Sequence, residues 1–260
     1  LSPTLDPLTV SDPAAGVRPS VSVVIPAKDE AGNLPGLISE IGTALADRPF
    51  EVVVVDDGST DETATVLAEI ASASPWLRHV RHDQACGQSA SIRTGVRYAR
   101  GDVILTIDGD GQNDPAFMPA MLARMEEGGD PVEMVAGERE GRKASWAKRH
   151  ASRGANRLRR WLLKDGTRDT GCGLKAIRRD VFLELPYFDG WHRYLPALVQ
   201  REGGRVRYVD VVDRERRFGA SHYGVWDRAA VGVLDLFGVW WLMRRRRRVQ
   251  SPMEVRSDGQ

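Results

Sequence analysis

A chain of 260 residues, 42% hydrophobic and 28% charged, can bury one sizeable α/β core, and this composition excludes wholesale disorder and a polytopic membrane protein. Its 37 basic and 36 acidic residues leave a net charge of +1, which gives no global case for nucleic-acid binding, although the basic residues crowd the second half. Two cysteines, Cys86 and Cys172, form neither a disulfide framework nor a zinc site by spacing, so a reducing, cytosolic setting is expected.

Residues 1–20 contain several prolines and no charged start followed by an apolar run, and they read as a disordered tail rather than an export signal. From Val21 onward, short β-branched runs alternate with amphipathic stretches, the pattern of βαβ units and a largely parallel sheet. Strands are expected at Val21–Ile25, Glu51–Val55, Leu77–Arg81, Val103–Ile107 and Met134–Ala136. Helices are expected near Leu34–Ala46, Thr60–Ala73, Gln88–Ala99 and Pro115–Glu127, bounded by Gly, Pro and Asp. From about Gly137 to Asp169 the chain is rich in Arg and Lys with weak strand signals, and reads as a functional segment crossing the sheet edge. Val206–Val212 reads as a returning strand, closing a domain over residues 21–224. Beyond it, Trp226, Ala230, Val233, Phe237 and Trp240 fall at helical spacing ahead of the run Arg244 to Arg248. Such a helix either sits at a bilayer interface with its arginines on anionic headgroups, or packs on the core with a solvated basic tail. Its apolar stretch, Val231 to Met243, is too short to span a bilayer and carries Asp235. Residues 249–260 read as a second disordered tail.

In doubly wound sheets, ligands bind beyond the carboxyl ends of the strands. Three acidic clusters fall there: Lys28-Asp29-Glu30 after the first strand, Asp56-Asp57-Gly58-Ser59 after the second and Asp108-Gly109-Asp110-Gly111-Gln112 after the fourth. Two carboxylates flanking one glycine repel each other unless a cation sits between them. Magnesium or manganese suits so sparse a site, because either takes one or two carboxylates and fills its shell with water and substrate phosphate. Gln112 offers a further carbonyl oxygen. The alternative is a turn that merely caps the next helix, a role that Asp114 before Pro115 fills better. Asp56 to Asp61 can likewise make a turn and cap unaided, or offer a carboxylate to a ribose hydroxyl or base N–H. No G-x-G-x-x-G follows the first strand and no Walker-type loop occurs, which removes dinucleotide hydride transfer and P-loop chemistry. Cys172 reads as a packed thiol, and His82, His150 and His192 show no metal-like grouping.

Taken in order, Val23-Val24-Ile25-Pro26 with Glu30, Val54 to Asp61, and Asp108 to Gln112 resemble family 2 glycosyltransferases of the GT-A fold. The chain is most similar to the dolichyl- and polyprenyl-phosphate sugar transferases, over about Val21 to Tyr223. The resemblance implies that Pro26, Ala27, Glu30, Asp57, Gln88, Asp108 and Arg139 contact the nucleotide-sugar donor, and that Asp108, Asp110 and Gln112 bind Mg2+ or Mn2+. Further matches are Gly87-Gln88-Ser89, Gly137 with Arg139, Asp169 to Lys175, and Arg217 with Gly219 and Ser221. The last group corresponds to a mobile acceptor loop, so Arg139, Arg217, Ser221 and His222 are implied to hold the acceptor phosphate, with His222 standing where lysine is common. The signature Q-x-x-R-W of processive synthases is absent.

The implied reaction is a single inverting displacement at the anomeric carbon, with Asp110, Arg217 and Asp169 closest to the chemistry. A hydroxyl acceptor, such as a saccharide, requires a base, for which Asp169 is the candidate. A phosphate-monoester acceptor does not: with a second pKa of about 6 it is already a dianion, and needs positive charge and placement. Arg139, Arg142, Arg153, Arg193 and Arg217 supply candidates. The resulting expectation is a peripheral enzyme at the cytoplasmic face of the membrane, using a GDP- or UDP-sugar and a polyprenyl phosphate. A non-catalytic nucleotide-sugar-binding module is the reading from another class.

Overall fold

The computed structural model describes residues 18–140, 159, 161–215 and 225–245, with residues 225–231 described by backbone alone. Arg142, Arg153, Arg217, Ser221, His222, Arg246 to Arg248 and nearly all of both expected tails lie outside the described residues.

Seven strands form one sheet in the order β3-β2-β1-β4-β6-β5-β7. They are β1 (Val21–Ala27), β2 (Phe50–Asp57), β3 (Leu77–His82), β4 (Val103–Thr106), β5 (Met134–Arg139), β6 (Lys175–Arg178) and β7 (Val206–Val211). All neighbours run parallel except β6, which is antiparallel to β4 and β5. All six expected strands are present. The strand missing from the sequence reading is β6, whose four residues carry two cations and lack the β-branched run that marks the others.

Alternate strand residues feed opposite faces of the sheet, as a two-residue period requires. Val23, Ile25, Val52, Val54, Leu105 and Val135 pack with α1 (Leu34–Ala44), α2 (Thr63–Ala73) and α4 (Met118–Glu126). Val24, Ile104, Met134 and Ala136 pack on the other face, with α3 (Gln88–Tyr98), α5 (Arg179–Glu184), α6 (Leu195–Arg201) and α7 (Val225–Arg244). Each fully buried aliphatic side chain of these layers contributes roughly 1.5–3 kcal/mol. The expected C-terminal helix is present as α7, and part of it packs on the core. Leu236 and Val239 are buried on the core, with Trp240 packed beside them, while Val233, Leu234, Phe237 and Trp241 are exposed on the outer side. Among the described residues, no helix is long and apolar enough to cross a membrane.

The chain runs from β1 outward to β2 and β3, then returns to β4 on the other side of β1. The crevice between the carboxyl ends of β1 and β4 is therefore the topological switch point, where such sheets bind ligands.

Candidate active site

The acidic loops after β1 and β2 are stitched together by their own side chains. Asp29, at φ 55°, accepts the Thr60 amide at 2.7 Å and the Asp61 amide at 3.3 Å on one carboxylate oxygen. Its amide donates to Ser59 Oγ at 3.0 Å, and the Glu30 amide donates to Thr63 Oγ1 at 3.0 Å. Because Asp29 takes these amides, α2 starts at Thr63 rather than at Thr60, with Asp61 accepting the Thr63 amide at 3.0 Å. Glu30 itself accepts from Asn33 Nδ2 at 2.6 Å. Gly58 sits at φ 65°, and a Cβ there would meet the Ala85 amide nitrogen at 2.8 Å, so this turn requires glycine for both conformation and space.

Asp57, at the end of β2, organises the next loop. It accepts the Cys86 and Gly87 amides at 2.8 Å each and pairs with His82 Nδ1 at 2.8 Å. Burial pushes its pKa up, but these hydrogen bonds outweigh it and hold the carboxyl below its ordinary value. His82 Nε2 is held in turn by Thr94 Oγ1 at 3.0 Å. The fold thus brings Asp57, His82 and Cys86 within 4.8 Å of one another, a grouping invisible in the spacing. The fixed loop delivers Gln88, the first residue of α3, whose Nε2 donates to Asp108 at 2.7 Å.

Asp108 stands two residues past the end of β4, at the switch point. Gly109 lies against β1, where a Cβ would come 3.0 Å from Pro26 O, and Pro26 and Ala27 form the opposite lip. Asp110 accepts the Gln112 amide at 3.1 Å and so turns its own loop. Capping of the following 3-10 turn falls to Asp114, which accepts the Ala116 amide at 2.9 Å, leaving Asp108 and Asp110 without that task. The loop is fastened from the far side: Asn113 Nδ2 donates to Asp213 at 3.0 Å, and the Arg214 amide donates to Gln112 O at 2.7 Å. Burial first, then repulsion from Asp110, pushes the Asp108 carboxyl up to about 6. Two crowded carboxylates and the Gln112 carbonyl in one loop form a hard oxygen donor set, which fits Mg2+ or Mn2+.

Beside Asp108 lies a cavity of about 360 Å³, lined by Gln88, Arg139, Lys175, His192 and Arg193 and by the backbone around Gly171 and Gly173. Gly173 is pressed against Asp108, so that any Cβ there would overlap the carboxylate. Arg139, at the end of β5, does not present a free guanidinium. It forms a two-pronged pair with Asp169 at 2.5 and 2.9 Å and reaches Asp213 at 3.1 Å. Burial works against this cation, but the two carboxylates raise its pKa further beyond the physiological range. Asp169 is correspondingly engaged. Burial raises it, yet Arg139 and the Gly171 amide hold it below the ordinary carboxylate value. Lys175 is buried and donates to Cys172 O, and desolvation lowers its pKa. Cys172 is a packed thiol, pushed up by burial. Burial pulls His192 down to about 3, so its ring is neutral.

The structure therefore gathers Pro26, Ala27, Asp57, Gln88, Asp108, Asp110, Gln112, Arg139 and Asp169 around one edge of the sheet. Glu30 lies in the first loop with its carboxylate on Asn33. Arg217, Ser221 and His222 lie outside the described residues, although Arg214, three residues before Arg217, is tied to the Gln112 loop. Lys175 and Gly173 were within reach of the sequence, as they belong to the motif Asp169 to Lys175. Asp213 and the neutral His192 carried no signal, because long-range contacts place them, Asp213 with Asn113 and Arg139 and His192 with Ser89.

Residues 22–185 match the model of Glycosyl transferase family 2. Undecaprenyl-phosphate 4-deoxy-4-formamido-L-arabinose transferase from Enterobacter sp. (strain 638) is 34% identical over 206 residues, which are 78% of this chain and 62% of that protein. The chain thus spans about three fifths of that relative's length. Among solved structures, glucosyl-3-phosphoglycerate synthase from Mycobacterium tuberculosis shares the fold. Its complex with Mn2+, UDP-glucose and phosphoglyceric acid is 22% identical, with a TM-score of 0.65 over 86% of this chain and 79% of that one. Its complex with Mn2+ and UDP-glucose is 24% identical, with a TM-score of 0.65 over 85% and 79%. On the family match and the sheet order together, this chain belongs to glycosyl transferase family 2, with the α/β GT-A fold.

Proposed function

We propose that this protein transfers a sugar from a nucleoside-diphosphate sugar, GDP-mannose or a UDP-sugar, to a polyprenyl phosphate, with inversion at the anomeric carbon. The observation that carries this reading is that Asp169 is committed to Arg139 while the cavity beside Asp108 is lined by cations. Among the described residues lining that cavity Asp108 is the one carboxylate, so an acceptor that needs a general base finds no free carboxylate among them. A phosphomonoester dianion needs only placement and positive charge.

In this reading Asp57 and the loop it organises, with Pro26 and Ala27, receive the nucleoside. Asp108, Asp110 and Gln112 hold Mg2+ or Mn2+, which when bound supplies positive charge to the diphosphate leaving group. Gln88 orients Asp108, and Arg139 braces Asp169 and Asp213 around the cavity. Arg217, Ser221 and His222 follow directly from the stapled Asp213-Arg214 segment and serve as the acceptor-phosphate loop. The outer side of α7, with Val233, Leu234, Phe237 and Trp241 exposed and Arg244 and Arg245 stacked on Trp240 and Trp241, suits the surface of an anionic bilayer. The enzyme then works peripherally at the cytoplasmic face, where the lipid acceptor is. The Enterobacter relative, whose name gives undecaprenyl phosphate as its acceptor, supports the lipid half of this reading.

The test is to incubate the protein with a panel of nucleotide sugars, Mg2+ or Mn2+ and a polyprenyl phosphate, and to analyse the lipids by mass spectrometry. A glycosyl phospholipid whose formation needs metal is expected. Tight donor binding with no glycolipid from any donor would refute the proposal.

A further inference from the structure

Two cations, one half-buried and one buried, line the cavity beside Asp108, and they differ in one respect. Arg139 has its guanidinium shared between Asp169 and Asp213. Lys175 is 5% exposed, and among the described residues no carboxylate oxygen lies within 4.0 Å of its ammonium. One of its three N–H groups goes to Cys172 O, which leaves two donors at the cavity wall. A desolvated ammonium without a contacting counter-ion is costly, and the Asp108 and Asp169 carboxylates act on it only through space. A divalent cation held by Asp108 would draw on the same charge, and an anionic group in the cavity would supply Lys175 with a partner.

The neighbouring histidine adds a donor of fixed orientation. Ser89 is fully buried, and its Oγ accepts the Gly190 amide at 2.9 Å and lies 2.7 Å from His192 Nδ1. The hydroxyl proton needs an acceptor, and Nδ1 is the partner the geometry provides. Ser89 therefore donates to Nδ1, which puts the ring proton of this histidine on Nε2. Both His192 and Arg193 line the same cavity. The wall is thus rich in donors, while Gly171 and Gly173 contribute no side chain to it.

We propose that Lys175, His192 Nε2–H and Arg193 form an oxyanion subsite that receives a phosphate or carboxylate group of a reactant beside Asp108. This rests on the glycosyl-transfer reading above. The shared chemistry has two sources, the phosphomonoester of the acceptor or an acidic substituent on the donor sugar.

The full chain, saturated with Mg2+ and whichever of UDP or GDP it binds, is titrated calorimetrically with inorganic phosphate, with glucuronate, and with glucose as the neutral control. One of the two anions is expected to bind saturably and glucose about tenfold more weakly or not at all. Phosphate binding assigns the subsite to the acceptor, and glucuronate binding assigns it to the sugar. Lys175→Met should weaken the anion about tenfold or more, the worth of a charge-assisted hydrogen bond, with nucleotide binding and melting temperature retained. Lys175→Arg should restore most of it. Should Lys175→Met fail to fold, His192→Phe, which keeps the ring bulk and removes the N–H, must weaken the same anion about fivefold. The proposal is overturned if the nucleotide-loaded protein binds neither anion, or if Lys175→Met binds it as tightly as the native protein. Failure of the nucleotide itself to bind with Mg2+ counts against the donor site instead, and the anion titrations are then scored on the nucleotide-free protein.

Discussion

Replacing Asp108 by asparagine should make the metal-free protein more stable while removing its metal site. Burial, then Asp110, raises the Asp108 carboxyl from 3.8 to about 6. An acid whose folded pKa lies above its unfolded value holds more protons folded than unfolded between the two. Its stability contribution therefore falls as pH rises from about 4 to about 6, and the deficit is complete at neutral pH. A shift of about two units at 1.36 kcal/mol each sets a ceiling of about 3 kcal/mol on that deficit. Asparagine keeps the carbonyl oxygen that accepts from Gln88 Nε2 and carries no charge to repel Asp110. For a domain of this size, each kcal/mol moves the melting temperature by about 2–4 °C. Asp108→Asn should therefore melt several degrees above the native protein at pH 7.5 without metal, and at the same temperature near pH 4. Saturating Mn2+ should close the gap by stabilising only the native protein. Differential scanning calorimetry at the two pH values, with and without Mn2+, measures all of this. An Asp108→Asn variant no more stable than the native protein at pH 7.5 would refute the idea that this carboxylate is held in place against an electrostatic cost.

Gly173→Ala places a methyl group against the Asp108 carboxylate and turns it out of register, so Mn2+ affinity by calorimetry should drop about 10–100-fold while the fold is retained. Asp169→Asn should lower kcat/KM by loosening Arg139 yet leave the shape of the pH–rate profile unchanged; loss of the acidic limb in that profile would mark Asp169 as a general base. Phe237→Glu with Trp241→Glu should reduce sedimentation with anionic vesicles at least tenfold without changing nucleotide binding, and unchanged sedimentation would detach α7 from the membrane. Asp57→Ala leaves the Cys86 and Gly87 amides unpaired and should cost about 1–3 kcal/mol in denaturant unfolding as well as most nucleotide affinity.

Most of the sheet was legible because its parallel strands are buried on both faces and appear as runs such as Val52 to Val55. The acidic clusters were legible for the same reason, since each directly ends such a run. The antiparallel strand β6 was hidden, because Lys175 and Arg178 break the apolar pattern and its place between β4 and β5 is set by long-range pairing. With β6 unseen, Lys175 had no evident position and Asp169 looked like a free base rather than the partner of Arg139. The start of α2 was misjudged by three residues because Asp29, thirty-one positions earlier than Thr60, takes the first amides. What sequence periodicity conveys is the burial of an element. Which charge neutralises which was decided by contacts between Arg139, Asp169 and Asp213, residues far apart in the chain.

In the proposed reaction Asp108 and Asp110 hold a divalent cation against a nucleoside diphosphate. Calorimetric titration of the native protein with UDP and with GDP, each with and without Mn2+, tests it most directly. One nucleotide is expected to bind with micromolar affinity only when Mn2+ is present, and Asp108→Asn should abolish that metal dependence while the fold persists. Equal nucleotide binding with and without Mn2+ in the native protein, or the same Mn2+-dependent affinity in Asp108→Asn, would contradict the account.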